Sequence, residues 1–434
     1  MKKRNRFLGL MLTGAMVAGC LAGCSGGDKD QTTDENRGTI ENPEEITAEL
    51  TLWDASWNEN ITPGLIEKFN EQYPGIKVNV EYFPSDGMSD KYLTALTNGG
   101  SSGPDLVSVN NEWISTFVAG GGLMNMDDYI EANDYDMSDF YDGALDGITI
   151  NGSVYALPYR AETHGLFYNA DMFQEAGYDA VPETWEEFLG AAVKITEDSG
   201  GEVKGIAVPG GEWGNTTYQL INMILCADGD ILNEDNTECV LDSEEAIKAA
   251  EYFVDLSVEH QVVPDSILEN DNAAGRTLFA EEKVASFMTG AYDIATIQDL
   301  NPDLNMGTAM VPVFDGADRH IIFAGWSTAV SAHTEEPDAA WLLAEFLAQP
   351  ENSVEYSTTF SARKSMADDE KYTGDPLLSS LAESLQYGEP LPVIPEITQI
   401  RQTLYEYIQL ALSGEMTAEE AMTQTTEEVN DLLQ

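Results

Sequence analysis

The chain has 434 residues, 43% of them hydrophobic, which is enough for two ordinary domains with sizeable cores and excludes a largely disordered chain. Its 20 Lys and Arg against 77 Asp and Glu give a formal charge of −57, so nucleic acids and anionic membrane surfaces are not expected partners. The four His residues form no H-E-x-x-H motif, and a P-loop is absent. We therefore expect no metal site and no cofactor.

The first residues have the layout of a secretory signal. Four of residues 1–6 are Lys or Arg, and an apolar stretch from Phe7 to Ala18 follows, which is too short for a membrane-spanning helix. The stretch ends in Leu21-Ala22-Gly23-Cys24, which resembles a bacterial lipobox, whose Cys is diacylated and becomes the first mature residue. We predict a signal peptide at 1–23 and lipidation of Cys24.

The segment after Cys24 is rich in Gly, Ser and Asp, which predicts a flexible tether at 24–45. The protein would then be exported and anchored by lipid alone, because its charge does not favour adsorption to a membrane. Two alternatives remain open. Cys20 stands in a second, weaker lipobox match, and the chain could be an ordinary secreted protein.

From Ala48 the pattern alternates between strands and helices. Residues 50–53 form a short β-rich run, and Thr62-Pro63 then opens a helix with Leu65, Ile66 and Phe69 on one face. A half-buried strand at 76–82, a helix at 88–97 and a third strand at 104–109 follow. Three βα units in succession predict a parallel α/β sheet.

Later elements are marked by caps and cysteines. Capping boxes predict helix starts at Thr184 and Thr417, and a weaker one does so at Asp242. Cys226 and Cys239 bracket one turn-rich loop, so a disulfide between them could form in an oxidising exterior. The acids of that loop do not fit the register of a calcium-binding loop, and a solvated acidic hairpin is the simpler interpretation.

Two groups of α/β units in one exported chain predict two lobes with a ligand cleft between them, at the ends of the strands. The loops expected there combine aromatic rings with amides, carboxylates and Arg. Sugars suit such a lining, because their C–H faces stack on rings and their hydroxyls donate and accept hydrogen bonds. The candidate ligand residues are Trp57, Asn58, Asn111, Glu112, Arg160, Glu162, Trp213, Tyr292, Asp293, Trp326, Arg363 and Arg401.

Each candidate also has a structural interpretation. A Trp can simply pack in the core, and Glu112 or Glu162 can be an acid that the dipole favours at a helix start. Arg160, Arg363 and Arg401 stand out because basic residues are scarce, yet each could form an ion pair on so acidic a protein.

Several segments together resemble the family 1 extracellular solute-binding proteins of ABC importers, which include the maltodextrin-binding proteins. The resemblance runs from about residue 48 to the end. The segments that carry it are 50–53, 69–78, 103–106, 155–158, 166–169, 182–188, 287–290, 325–327 and 414–421.

The resemblance implies a two-lobed periplasmic-binding-protein fold whose chain crosses between the lobes near 160–162, 325–327 and 362–364. Predicted lobe 1 is 46–160 with 328–362, and predicted lobe 2 is 161–327 with 363–434. It also implies that Glu112 and Glu162 are acidic sugar ligands, and that Trp213 and Tyr292 stack on sugar.

Two departures from the maltodextrin binders make maltose itself a doubtful ligand. Trp57 and Asn58 replace a charged pair, and Arg401 replaces a stacking Trp. We therefore expect a monomeric, lipid-anchored protein on the outer face of the cytoplasmic membrane, which captures a carbohydrate and delivers it to ABC permease subunits. The alternatives are a binder of a polyol phosphate or other anion, and an exported glycoside hydrolase using Glu112 and Glu162.

Overall fold

The computed structural model describes residues 38–85, 87–99 and 103–434, and the predicted signal, Cys20 and Cys24 lie outside these ranges. The strands are β1 (Ala48–Ala55), β2 (Ile76–Phe83), β3 (Leu106–Asn110), β4 (Thr149–Ile150), β5 (Ser153–Val154), β6 (Leu157–Glu162), β7 (His164–Asn169), β8 (Ser286–Gly290), β9 (Met306–Ala309), β10 (Ile321–Ile322), β11 (Ala324–Val330), β12 (Phe360–Ser361) and β13 (Gly388–Glu389).

The helices lie between these strands, singly in the early part of the chain and in runs later. They are α1 (Thr62–Gln72), α2 (Met88–Asn98), α3 (Ile114–Ala119), α4 (Asp127–Ala132), α5 (Asp142–Asp146), α6 (Ala170–Glu175), α7 (Trp185–Asp198), α8 (Trp213–Leu225), α9 (Glu244–Val258), α10 (Asn272–Ala280), α11 (Ile294–Leu300), α12 (Pro337–Leu347), α13 (Pro350–Tyr356), α14 (Glu370–Thr373), α15 (Pro376–Ser384), α16 (Ile397–Leu412) and α17 (Ala418–Leu432). In the described part of the chain, no helix is long and apolar enough to cross a membrane.

The first sheet has the strand order β12-β6-β11-β3-β1-β2 and, with the helices packed on it, forms lobe 1. β1 runs parallel to both β2 and β3, as the three βα units predict. The prediction of a parallel sheet is wrong for the other half, because β11, β6 and β12 each pair antiparallel with their neighbours. β11 and β12 come from late in the chain, so no local βαβ unit fixes their direction.

The early elements of lobe 1 follow their sequence patterns. α1 begins at Thr62 and buries Leu65, Ile66 and Phe69, and β2 alternates between exposed and more buried positions before it ends in buried Phe83. The predicted tether extends too far. Gly38 is buried and its carbonyl accepts a hydrogen bond from Asn133 Nδ2 at 3.0 Å, so the chain already contacts lobe 1 at this residue, although most of residues 39–45 are exposed.

The second sheet has the antiparallel order β8-β7-β9 and, with α7, α8, α9, α16 and α17, forms lobe 2. The chain passes from the first sheet to the second at Thr163, between β6 and β7. It enters the first sheet again at β11, just after Phe323, coming from β10, which pairs with β13 in a separate two-stranded sheet. The strand ends at these two passages are where side chains of both lobes meet.

Two of the three predicted helix caps are in place. Thr184 accepts a hydrogen bond from the Glu187 backbone at the start of α7, and Thr417 and Glu420 form a complete capping box on α17. At α9 the prediction is wrong by one residue. Ser243, not Asp242, is the N-cap and accepts from the Ala246 backbone.

The predicted disulfide is absent, because Cys226 and Cys239 are both free and buried. Cys226 Sγ lies 3.1 Å from the His320 carbonyl oxygen, and Cys239 Sγ lies 3.9 Å from Thr426 Oγ1, so each thiol has its own neighbour. Burial raises the pKa of both thiols.

Candidate functional site

Glu112 is at the centre of a cluster that joins the two lobes. It follows β3 in a short turn at Asn111–Trp113, where its backbone N–H donates to the Asn110 side chain at 2.9 Å. Its Oε2 accepts a hydrogen bond from Arg401 Nη1 at 2.8 Å, and its Oε1 accepts one from the Tyr218 hydroxyl. Glu112 belongs to lobe 1, whereas Tyr218 and Arg401 lie on α8 and α16 of lobe 2, so this carboxylate bridges the lobes.

Arg401 is buried, with 3% of its surface exposed, and each of its three nitrogens donates one hydrogen bond within the protein. Besides Glu112, it donates from Nε to Thr217 Oγ1 at 3.1 Å and from Nη2 to the Gly214 carbonyl at 2.7 Å. Its guanidinium carbon lies 5.1 Å from the Trp213 ring centroid and 4.7 Å from that of Tyr218. Both are within the range of a cation–π contact.

Two aromatic rings of lobe 2 remain partly accessible beside this ion pair. Trp213 begins α8 and Tyr292 lies in the turn after β8, and each keeps 36% of its surface exposed. His164 connects them to the cluster. Its ring centroid is 5.1 Å from that of Tyr218, and its Nε2 is 3.4 Å from the Tyr292 hydroxyl.

The electrostatics of this cluster keep His164 neutral. Burial, reinforced by the positive charge of Arg401, lowers the pKa of His164 to about 4. Burial, together with the nearby Glu112 carboxylate, raises the pKa of the Tyr218 hydroxyl well above its ordinary value. At neutral pH the charges of the cluster are therefore those of Glu112 and Arg401.

Lobe 1 contributes three indole rings at the ends of its strands. Trp57 and Trp113 each meet Trp326 edge to face, with centroids 4.8 Å and 5.5 Å apart. Trp326 is buried, whereas Trp57 and Trp113 are half-buried. The three rings thus form an aromatic group whose two outer members remain accessible.

Arg160 and Glu162 form a second ion pair near the passage between the lobes. Arg160 Nη2 donates to Glu162 Oε1, and Arg160 Nε donates to Thr359 Oγ1 at 3.1 Å. Both side chains are nearly buried. The predicted candidates Trp57, Glu112, Arg160, Glu162, Trp213, Tyr292, Trp326 and Arg401 thus lie in this region or form direct contacts within it.

Arg363 does not join this region. It is 5% exposed, its Nε donates to the Ala348 carbonyl at 2.8 Å, and its Nη1 lies 3.4 Å from Asp139 Oδ2 within lobe 1. Its donors serve the packing of lobe 1, so the structure does not bring this predicted ligand residue to the region around Glu112.

Three other candidates have structural partners. Asn58 is buried and donates to Asp54 Oδ1 at 2.9 Å, and burial raises the pKa of that Asp54 carboxyl. Asp293 is buried, lies 2.8 Å from Arg276 Nε and accepts a hydrogen bond from Thr289 at 2.6 Å. Asn111 accepts from Ser327 Oγ at 2.6 Å, and its buried Nδ2 has no partner among the described residues.

The structure adds Trp113, His164 and Tyr218 to the predicted set. Alternation along an extended segment puts His164 on the same face as Glu162, two residues earlier, and could have identified it. Tyr218 had no such signal, because its partner Glu112 is 106 residues away in the chain. In the described part of the chain, no group of three His, Cys, Asp or Glu residues could hold a metal ion.

Taken together, the region combines accessible ring faces with paired carboxylates, which suits noncovalent binding of a polar molecule with apolar faces. Glu112 and Glu162, the two acids that an exported glycoside hydrolase would use, each form an ion pair with an Arg side chain.

Comparison with known proteins agrees with this geometry. Residues 49–354 match the family described as bacterial extracellular solute-binding protein. The galactooligosaccharide-binding protein of Bacillus subtilis is 24% identical over 427 residues, covering 95% of this chain and 94% of that protein.

Solved structures show the same fold. An ABC transporter solute-binding protein of Thermotoga lettingae, bound with α-D-tagatose, is 29% identical with a TM-score of 0.77, covering 89% of this chain and 100% of that one. One from Agrobacterium radiobacter, in complex with ribitol, is 24% identical with a TM-score of 0.72, covering 89% and 98%. The chain belongs to the family of bacterial extracellular solute-binding proteins, and it is a binding protein rather than an enzyme.

Proposed function

We propose that the protein captures a carbohydrate, a short oligosaccharide, between its lobes and delivers it to the permease of an ABC transporter. Its relatives include the galactooligosaccharide binder of Bacillus subtilis, which matches along nearly the whole chain. The tagatose-bound and ribitol-bound structures make single sugars and polyols the nearest competing ligands.

The partial exposure of Trp213 and Tyr292 beside the Glu112–Arg401 pair is the observation that carries this proposal. Both rings belong to lobe 2, while Trp57 and Trp113 offer half-buried rings from lobe 1. A sugar stacked on such rings buries its C–H faces and directs its hydroxyls to the carboxylates around it.

The alternative of an anionic ligand loses its main support. Arg160, Arg363 and Arg401 suggested it, yet each of them lies within ion-pair distance of a carboxylate, namely Glu162, Asp139 and Glu112. An anion would have to displace one of these carboxylates. Its affinity would also fall steeply with salt, whereas the affinity of a neutral sugar would stay nearly constant.

Calorimetry of the chain without residues 1–23 tests the proposal. The ligands are D-tagatose, ribitol, galactose and galacto-oligosaccharides of two to four units, each titrated at low and high NaCl. Binding of an oligosaccharide with little salt dependence would support the proposal. Binding that becomes tighter in Glu112→Ala and falls steeply with NaCl, or no binding of any of these sugars, would contradict it.

A ligand that touches both lobes favours the closed state, so the proposal also predicts compaction. Small-angle scattering with and without the bound sugar should show a smaller radius of gyration in the complex. An unchanged profile at saturation would indicate binding to one lobe only.

We also propose that Cys24 carries the lipid anchor, since the lipobox and the Gly/Ser-rich segment adjoin there. Cells that express Cys24→Ala should lose acylation and release the protein from the membrane fraction, with Cys20→Ala as the matched control. Retention of an acylated Cys24→Ala protein would assign the anchor to Cys20, and a wholly soluble wild type would rule out a lipoprotein.

A further inference from the structure

The contact between the lobes at Glu112 is complete within the protein itself. Both carboxylate oxygens of this lobe 1 residue accept hydrogen bonds from lobe 2, one from Arg401 and one from the Tyr218 hydroxyl. Charge-assisted bonds of this kind are among the stronger hydrogen bonds in proteins. Glu112 can therefore join the lobes with no ligand atom taking part.

The guanidinium of Arg401 has no freedom to turn toward a ligand. Thr217 and the Gly214 carbonyl, both of α8, fix two of its nitrogens, and Glu112 fixes the third. Its central carbon also lies over the rings of Trp213 and Tyr218. Turning it outward would break all of these contacts together.

Arg401 could either bind a ligand directly or position the residues around it. A ligand-binding Arg would turn its guanidinium toward the ligand, whereas each of the three nitrogens of Arg401 already donates a hydrogen bond within the protein. The residue instead connects Trp213, the accessible ring proposed to stack on sugar, to the carboxylate of the opposite lobe. Arg401 therefore lies between the ring proposed to stack on sugar and the Glu112 contact that joins the lobes.

We propose that Arg401 is a positioning residue that fixes the Trp213 ring and joins it to Glu112, so that closure of the lobes and the stacking surface form together. This inference rests on the proposed function for the role of Trp213, but the closing contact can be tested with no ligand. It also implies that the closed state is populated in the free protein.

Lysine cannot replace Arg401 in this role. Its single ammonium nitrogen keeps the charge but cannot reach Thr217, Gly214 and Glu112 in the fork geometry of a guanidinium, and it has no planar face to stack on two rings. Arg401→Lys therefore tests geometry rather than charge.

Arg363 provides a matched control. It is also buried, lies near a carboxylate and contacts two aromatic rings, Tyr135 and Phe140, but only within lobe 1. Arg363→Lys should disturb packing to a similar degree and leave the contact between the lobes intact.

The experiment measures the distance between the lobes by pulsed electron resonance, with spin labels at the exposed positions Glu71 of α1 and Glu259 after α9. In the absence of sugar, the wild-type labels should show a closed population. Arg401→Lys and Glu112→Gln should each lower the ratio of closed to open molecules about tenfold or more, because each weakens a partly buried charge-assisted contact. Arg363→Lys should leave the ratio unchanged.

Binding is then measured by calorimetry with D-tagatose and the galacto-oligosaccharides. Arg401→Lys should weaken whichever sugar the wild type binds by about tenfold or more, whereas Arg363→Lys should not. If Arg401→Lys does not fold, Glu112→Gln tests the same contact at a side chain that is 20% exposed.

An unliganded wild type with no closed population, or variants of Arg401 and Arg363 that behave alike, would overturn the inference. Sugar binding would still stand in that case, while a closed free protein that binds no sugar would contradict the proposed function instead.

Discussion

Arg363 and Arg401 have nearly the same chemical surroundings, but Arg363 contacts residues of lobe 1 only, whereas Arg401 contacts residues of both lobes. Each is buried, each donates from Nη2 or Nη1 toward a carboxylate or hydroxyl, and each contacts two aromatic rings. The partners of Arg363 all belong to lobe 1, namely Tyr135, Asp139, Phe140 and Ala348. Those of Arg401 come from both lobes and include the partly exposed Trp213.

This difference shows that residue chemistry alone does not decide between a structural and a functional role. The same fork of donors stabilises one lobe in the first case and links two lobes in the second. The deciding property is whether the partners can separate when the lobes move apart. The following experiments remove parts of the two clusters, from the largest expected effect to the smallest.

Replacing Arg363 with Ala should have the largest effect on folding. It leaves Asp139 without its guanidinium partner and opens a space beside Phe140, which we expect to lower the free energy of unfolding by about 3 kcal/mol. Urea unfolding measures the change. Sugar affinity of the folded variant should match the wild type, and a large loss of affinity would place Arg363 in the binding region after all.

Replacing Trp213 with Ala should weaken sugar binding more than it lowers the free energy of unfolding. If a sugar ring stacks on this indole, its removal costs about 2 to 4 kcal/mol of binding, or about 30-fold or more in Kd. The free energy of unfolding should change less than in Arg363→Ala, because Trp213 is already 36% exposed.

Calorimetry with the bound sugar checks this prediction, and Trp213→Phe is the control because it keeps an aromatic face. Equal affinities of Trp213→Ala and the wild type would show that the ligand does not stack on this ring.

The two clusters also differ in their response to pH, because only that of Arg401 contains a histidine among its described members. His164 has a pKa near 4 in the folded protein, lowered by burial and then by Arg401, against an ordinary value of 6.5. The folded state therefore favours the neutral ring. This contribution is present above about pH 6.5 and is lost as the pH falls toward 4, since the unfolded chain takes up the proton first.

Between pH 7 and pH 5, the wild type should lose about 2 kcal/mol more unfolding free energy than His164→Asn, which has no ring to protonate. Urea unfolding of both proteins at the two pH values gives the difference. Parallel losses in the two proteins would mean that the folded state accommodates a charged His164.

Sequence patterns identified the elements whose burial follows a local period. The apolar face of α1 and the alternation of β2 were predicted residue by residue, because helix and strand periods are local properties. The antiparallel pairing of β11 with β3 was not, since it joins residues more than 200 positions apart. The resemblance supplied what the local patterns could not, the two-lobed fold.

The same limit applies to the binding region. Scarcity of basic residues singled out Arg363 and Arg401 equally, and only their tertiary partners separate them. Cys226 and Cys239 are close along the chain, yet burial of each thiol against a different neighbour leaves both free. Sequence spacing therefore identified residues with binding chemistry but could not predict which of them already had partners.

The smallest effects should come from removing one hydroxyl from each cluster. The Tyr135 hydroxyl accepts a hydrogen bond from Arg363 Nη2, and the Tyr218 hydroxyl donates one to Glu112, so Tyr135→Phe and Tyr218→Phe each remove one bond to a charged group. Each change should cost about 1 to 2 kcal/mol, but in different measurements.

Tyr135→Phe should lower the unfolding free energy at unchanged sugar affinity, because the lost hydrogen bond joins two residues of lobe 1. Tyr218→Phe should instead shift the free protein toward the open state and weaken sugar binding, because its bond forms only when the lobes meet. If both variants lowered only the unfolding free energy, the Glu112 contact would be ordinary packing, and the contrast between the two arginine clusters would not extend to function.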